Sequence, residues 1–418
     1  MKQTNDAVIA ATTDHNIDPD NACRPGLSPE LALLLSIARL TLTDAQCAQI
    51  DASAERPLDW ARLIKLGRWH GLLPLLAHHL SDDRLGALRA CIPSETMESV
   101  RQARLINGLH CMQLGAELKR LAELLAEHDI PVIPYKGIML ARQLYGDDTL
   151  RQSGDIDIIV PKAQTATAKA YLEEEGYQPV VHFTSSAQEQ AYTNQMFEYE
   201  FHHPKKRIRL ELHWDIIQPH HAVAIDWPEI WARSTPGLMR RMAPEDLLII
   251  LCIHGVKHYW AGLKWIMDVK LLIDATPRMN WKAVLTRAHN WKVRRIVLFG
   301  LLVVDQLLTA SYPESIRAAM AKDSSLPGLM DDVLAMQEDP VNLEEHTAEL
   351  IAFNMRLRER PLERLAFAAR ILGNLNYQDV DAEHHSSWRH YRRRFERLIG
   401  KHGWSRMMQM LSRIGRAT

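Results

Sequence analysis

KGIMLARQLYGDDTLRQSGDIDIIV (Lys136–Val160) is the stretch on which the fold turns. It reads as a glycine break, a helical run and a short strand bearing two acids. Side chains alternate along a strand, so Asp155 and Asp157 leave one face about 7 Å apart, while Ile156, Ile158 and Val160 turn to the core. Two carboxylates on an exposed face beside Gly154 pack poorly but suit an oxygen cage for Mg²⁺. Before the stretch, PVIPY (Pro131–Tyr135) reads as another short strand. A strand, the Lys136-Gly137 break and a helix start aim free N–H groups at one point where a phosphate can sit, and Lys136 adds a cation.

A metal pair needs a third acid from a neighbouring strand. FEYEFHHPKKRIRLELHWDI (Phe197–Ile216) has the alternation of a hairpin about a Pro-Lys-Lys turn. On its second arm Ile208, Leu210, Leu212 and Trp214 share one face; Arg209, Glu211 and His213 share the other. Glu211 is therefore the candidate third acid.

Outward from this core the pattern is helical. Ser28 reads as an N-cap before LALLLSIARLTL, a second helix opens at Asp59 and runs through WARLIKLGRWHGLLPLLAHHL, and a third covers roughly Glu95–His128. Between the strands, Ala163–Gly176 reads as a helix and QPVVHF as a strand. Helices resume at Pro244-Glu245. The expected fold class is α+β: a small mixed sheet between helical regions. The expected divisions are a tail at 1–27, a helical region at 28–99, the α/β core at 100–235, a helical domain at 236–380 and a basic amphipathic tail at 381–418.

Composition narrows the classes of function. Of 418 residues, 47% are apolar and 24% charged, which is ordinary globular usage. Fifty Lys+Arg against 51 Asp+Glu leave a formal charge of −1, so no global field draws the chain to nucleic acid. Five scattered cysteines with no C-x-x-C fit a reducing compartment, and the polar N-terminus lacks a signal peptide's apolar stretch. LLIILCIHGV and IVLFGLLVVDQLL are too short and too interrupted to span a bilayer. A cytoplasmic protein is the expectation. There is no G-x-G-x-x-G, Walker loop, G-x-S-x-G or H-E-x-x-H.

The stretch Lys136–Val160, followed by LELHW (Leu210–Trp214), resembles the uncharacterised nucleotidyltransferase family of the polymerase-beta-like superfamily. A Lys-Gly stands where that superfamily usually has Gly-Gly or Gly-Ser. Pro244–Leu248, Cys252–Gly255, Leu263–Trp265 and Asp268 are similar to the family's C-terminal helices. The resemblance implies transfer of an NMP from an NTP to a hydroxyl acceptor with release of pyrophosphate. Asp155, Asp157 and Glu211 would be the catalytic, metal-holding acids for Mg²⁺ or Mn²⁺. Lys136, Gly137, Arg151, Gly154 and Lys264 would bind the nucleotide. Arg151 has two readings, reaching the phosphates or pairing with Asp147 or Asp148. Lys264 likewise either touches the triphosphate or pairs with Asp268. His213 either orients the acceptor or is a histidine hydrogen-bonded beside the site.

The acceptor is open among protein, small molecule and RNA, with nucleic acid not favoured. The basic segment WRHYRRRFERLIGKHGWSRMMQMLSRIGRAT would be the anchor in the RNA case. The rival reading is a catalytically silent nucleotide- or partner-binding module on the same fold.

Overall fold

The computed structural model describes residues 27–338 and 347–373. The tails expected over 1–27 and 381–418 lie, save Leu27, outside the described residues. Five strands form one sheet: β1 (Ile133–Pro134), β2 (Ile156–Ile159), β3 (Gln178–Pro179), β4 (Glu198–His203) and β5 (Ile208–His213), ordered β1-β2-β5-β4-β3. Only β2 and β5 run parallel; the other neighbours are antiparallel. The fold is α+β with helical flanks, as the alternating and helical periodicities imply.

The β4–β5 hairpin follows from its sequence. Phe201, Ile208, Leu210 and Leu212 alternate with polar residues and are buried. The Pro204–Arg207 turn closes with Arg207 at φ +55°. Two strand readings need correcting. Strand β2 begins at Ile156, so Asp155 precedes it, and QPVVHF is extended only at Gln178–Pro179.

The long helix Ser94–Glu127 lays Cys111, Leu114, Leu118, Leu121 and Leu125 in one cluster with Ile156, Ile158, Leu210 and Leu212 of the sheet. Each such side chain contributes about 2 kcal/mol when fully buried. A second, larger core joins the helices that precede residue 94 to those that follow Pro244, and takes in Ile133, Tyr135 and Ile159 from the sheet's edge. Far-apart segments are tied there by Arg62 Nη2–Glu338 Oε2 at 2.9 Å and His70 Nε2–Gln337 O at 3.1 Å. Ser28 caps the first helix, Pro29–Ile37. The helix expected from Asp59 onward is two, Trp60–His70 and Leu73–His79, because Gly71 adopts φ +70° and ends the first. No helix among the described residues is long and apolar enough to cross a membrane.

The helices Pro244–Lys257 and Leu263–Asp274 lie beside the sheet edge where β1 and β2 meet. They supply His254, Lys257, Lys264 and Asp268 around the residues that the sequence singles out.

Candidate active site

Parallel pairing of β2 with β5 sets Asp157 opposite Glu211. Both therefore leave the same face, and His213, two residues beyond Glu211, joins them. His213 Nε2 lies 3.4 Å from Asp157 Oδ1 and 3.2 Å from Glu211 Oε2. Lys136, just past β1, places Nζ 2.7 Å from Asp157 Oδ1 and 3.1 Å from Glu211 Oε2. One ligand atom each from Asp157, Glu211 and His213 falls within 4.8 Å of the others, a geometry that can hold a metal ion. Asp155 is outside that set.

Gly137 makes the bend after Lys136 possible. Its φ is +62°, and a Cβ there would sit 3.5 Å from Asp157 Oδ2 and 3.4 Å from the Asp155 carbonyl. From it a helix runs over Gly137–Leu140 and continues as a π turn, Ala141–Tyr145.

The acids are not on an exposed face. The Asp157 side chain is 0% exposed and that of Glu211 22%. Beside them the Tyr135 ring stands edge-on to His213 at 5.2 Å, and His254 edge-on to Tyr135 at 6.5 Å. Burial drives the Asp157 carboxyl up to about 7, against the pull of Lys136. Glu211 is also penalised by burial, but the His213 hydrogen bond and the Lys136 charge outweigh it and hold its carboxyl below the usual range. The same acids overcome burial at His213 and raise it to about 9. Asp157 Oδ2 is buried with no hydrogen-bond partner. An orphan carboxylate oxygen beside a convergent acid and imidazole is a donor set that fits a divalent cation.

Two contributors escape a sequence reading. Glu198 pairs with His213 across β4–β5, and its Oε2 lies 3.1 Å from His213 Nδ1, near enough for attraction though misaligned for a hydrogen bond. Lys257 stands over the Phe197 ring at 4.0 Å, and burial pushes its ammonium down. Alternation in FEYEF carried a signal for Glu198. For Lys257 the only signal was its shared helix face with His254 and His258.

Arg151 pairs with neither Asp147 nor Asp148. It forks onto Asp268, Nε–Oδ1 2.8 Å and Nη2–Oδ2 2.7 Å, while Nη1 approaches the Gly137 carbonyl at 3.5 Å. Asp268 being taken, Lys264 does not pair with it. Burial lowers Lys264 to about 8, against the attraction of Asp268 and Asp155, and Glu198 attracts Lys257; among the described residues neither lysine makes a close ion pair. Gly154 is exposed just before Asp155.

A model of the uncharacterised nucleotidyltransferase family matches residues 56–309, more than half of the chain. The chain belongs to that family. No curated protein matches it. As a member of the uncharacterised nucleotidyltransferase family the chain is assigned a general role in nucleotidyl transfer, with an NTP as the implied substrate. The matched span contains the acid cluster, the Gly137 bend and both lysines.

Proposed function

We propose that the protein moves an NMP from an NTP to a hydroxyl of an acceptor and releases pyrophosphate. The observation that carries this reading is an acid cluster with a buried Asp157, flanked by the half-buried lysines Lys257 and Lys264, neither of which makes a close ion pair among the described residues. A polyphosphate beside the acids would give both ammonium groups a direct partner.

In this reading Asp157 and Glu211, with Asp155 nearby, hold Mg²⁺ or Mn²⁺. Divalent cations there would neutralise charge on the transferring phosphoryl group and lower the pKa of the acceptor hydroxyl. The chain's own residues position and enclose. Gly137 lets the backbone approach the phosphates, with Lys136, Lys257 and Lys264 as counter-charges. Arg151, fixed by Asp268, braces the Gly137 carbonyl rather than gripping phosphate directly. His213 is held between Glu198 and the other two acids, where it orients Glu211 and the incoming hydroxyl. Tyr135 packs edge-on against His213, and His254 against Tyr135, which steadies the imidazole from the side of the helices.

The test is incubation of the protein with each NTP, labelled at the α- or the γ-phosphate, together with Mg²⁺ and a cell extract. α-Label fixed on protein, RNA or a small molecule supports the reading and names the acceptor class. γ-Label fixed in its place would show a phosphotransferase and overturn it, as would no incorporation from any NTP.

A further inference from the structure

We propose that Lys136 is a built-in counter-cation of the acid cluster, which a divalent cation must displace, so that cation and nucleotide bind cooperatively through this one side chain. The inference rests on the reading of Asp157 and Glu211 as metal-holding acids.

The geometry is one of competition for the same oxygens. Nζ of Lys136 is 2.7 Å from Asp157 Oδ1 and 3.1 Å from Glu211 Oε2. Those two carboxylates, with His213, are also the set whose ligand atoms lie within 4.8 Å of one another. Asp157 and Glu211 would hold the divalent cation, and it would compete with the ammonium for their carboxylate oxygens. Lys136 nevertheless leaves the cluster incomplete, because Asp157 Oδ2 is buried without a hydrogen-bond partner.

Around Asp157 and Glu211 the ammonium meets the Tyr135 ring at 5.5 Å, the charge of Asp155, and the cations Lys257 and Lys264, which feel its charge. Leaving its two close carboxylates would give up both ion pairs in a neighbourhood that already holds two like charges. That move is unfavourable until a polyphosphate arrives, and then all three lysines gain a partner. A divalent cation alone should therefore bind weakly, and the triphosphate should strengthen it. By linkage the cation strengthens triphosphate binding by the same factor. The acids stay neutralised between turnovers, which also spares the fold an uncompensated buried carboxylate pair.

The experiment measures Mn²⁺ binding to the full-length protein by electron paramagnetic resonance, with and without an α,β-methylene NTP analogue. Lys136→Met should bind Mn²⁺ alone at least tenfold tighter than wild type, and the analogue should add correspondingly less. Lys136→Arg, which keeps the charge, should bind Mn²⁺ alone as weakly as wild type. Thermal melts identify folded variants; if the Met variant does not fold, Lys136→Gln takes its place. Equal Mn²⁺ affinity in wild type and the neutral variant, lost on Asp157→Asn, would overturn the displacement while sparing the metal reading. No Mn²⁺ binding in any variant, even with the analogue, would overturn both.

Discussion

Arg151 and Asp268, 117 residues apart in sequence, form a two-pronged ion pair with contacts of 2.8 and 2.7 Å. Both are almost fully buried, at 4% and 1% exposure, and Tyr145 donates its hydroxyl to the same Asp268 Oδ1 at 2.8 Å. The pair joins the loop before β2 to the helix Leu263–Asp274. It thereby sets the position of Asp155 and of the Gly137 carbonyl relative to Lys264.

Asp268→Ala should leave a buried guanidinium without a counter-charge and cost about 3–5 kcal/mol. The denaturation midpoint in urea checks this. The double variant Arg151→Met/Asp268→Leu, which removes both charges, should recover much of the loss. A single variant as stable as wild type would mean the pair is solvated and holds nothing in place.

How much of this arrangement was legible depended on sequence distance. Alternation in LELH and in IDII was enough to set Glu211 and Asp157 on polar faces of strands, and β2 and β5 are indeed neighbours. The helical flanks were legible from periodicity and from caps such as Ser28. Burial of Asp157 was not, because its neighbours come from distant segments, as with His213, 56 residues on. Asp155 fell outside the cluster because β2 starts one residue after it, and strand ends are poorly marked by local pattern. The partner of Arg151 was missed for the same reason as that burial: nearby Asp147 and Asp148 offered a local choice, and tertiary packing made a distant one.

Lys264 predicts a pH dependence. Burial lowers its ammonium to about 8, so the charge is present below that pH and lost as pH rises through it. NTP affinity should therefore fall between pH 7 and 9, with the midpoint moving upward once phosphate is bound. Lys264→Arg, charged throughout, should flatten that profile, and Lys264→Ala should raise KM roughly 10- to 100-fold, the worth of one charge-assisted hydrogen bond. An unchanged KM in the Ala variant would remove Lys264 from the nucleotide site.

Gly137→Ala probes the bend. A Cβ at φ +62° brings about 1–2 kcal/mol of backbone strain and would lie 3.5 Å from Asp157 Oδ2. Turnover should fall further than the melting temperature, since relief of that strain would shift the backbone beside the acids. Equal, mild effects on both would make this glycine an ordinary turn residue.

The most direct measurement is transfer of α-label from an NTP by Asp157→Asn beside wild type, with thermal melts of both. Asn matches Asp157 in shape, and burial already raises that carboxyl to about 7, so the variant should stay folded. Its transfer rate should fall by roughly 10²- to 10³-fold, the scale of losing one charge-stabilising group. A folded Asp157→Asn protein that transfers label at the wild-type rate would contradict the role given to the acid cluster.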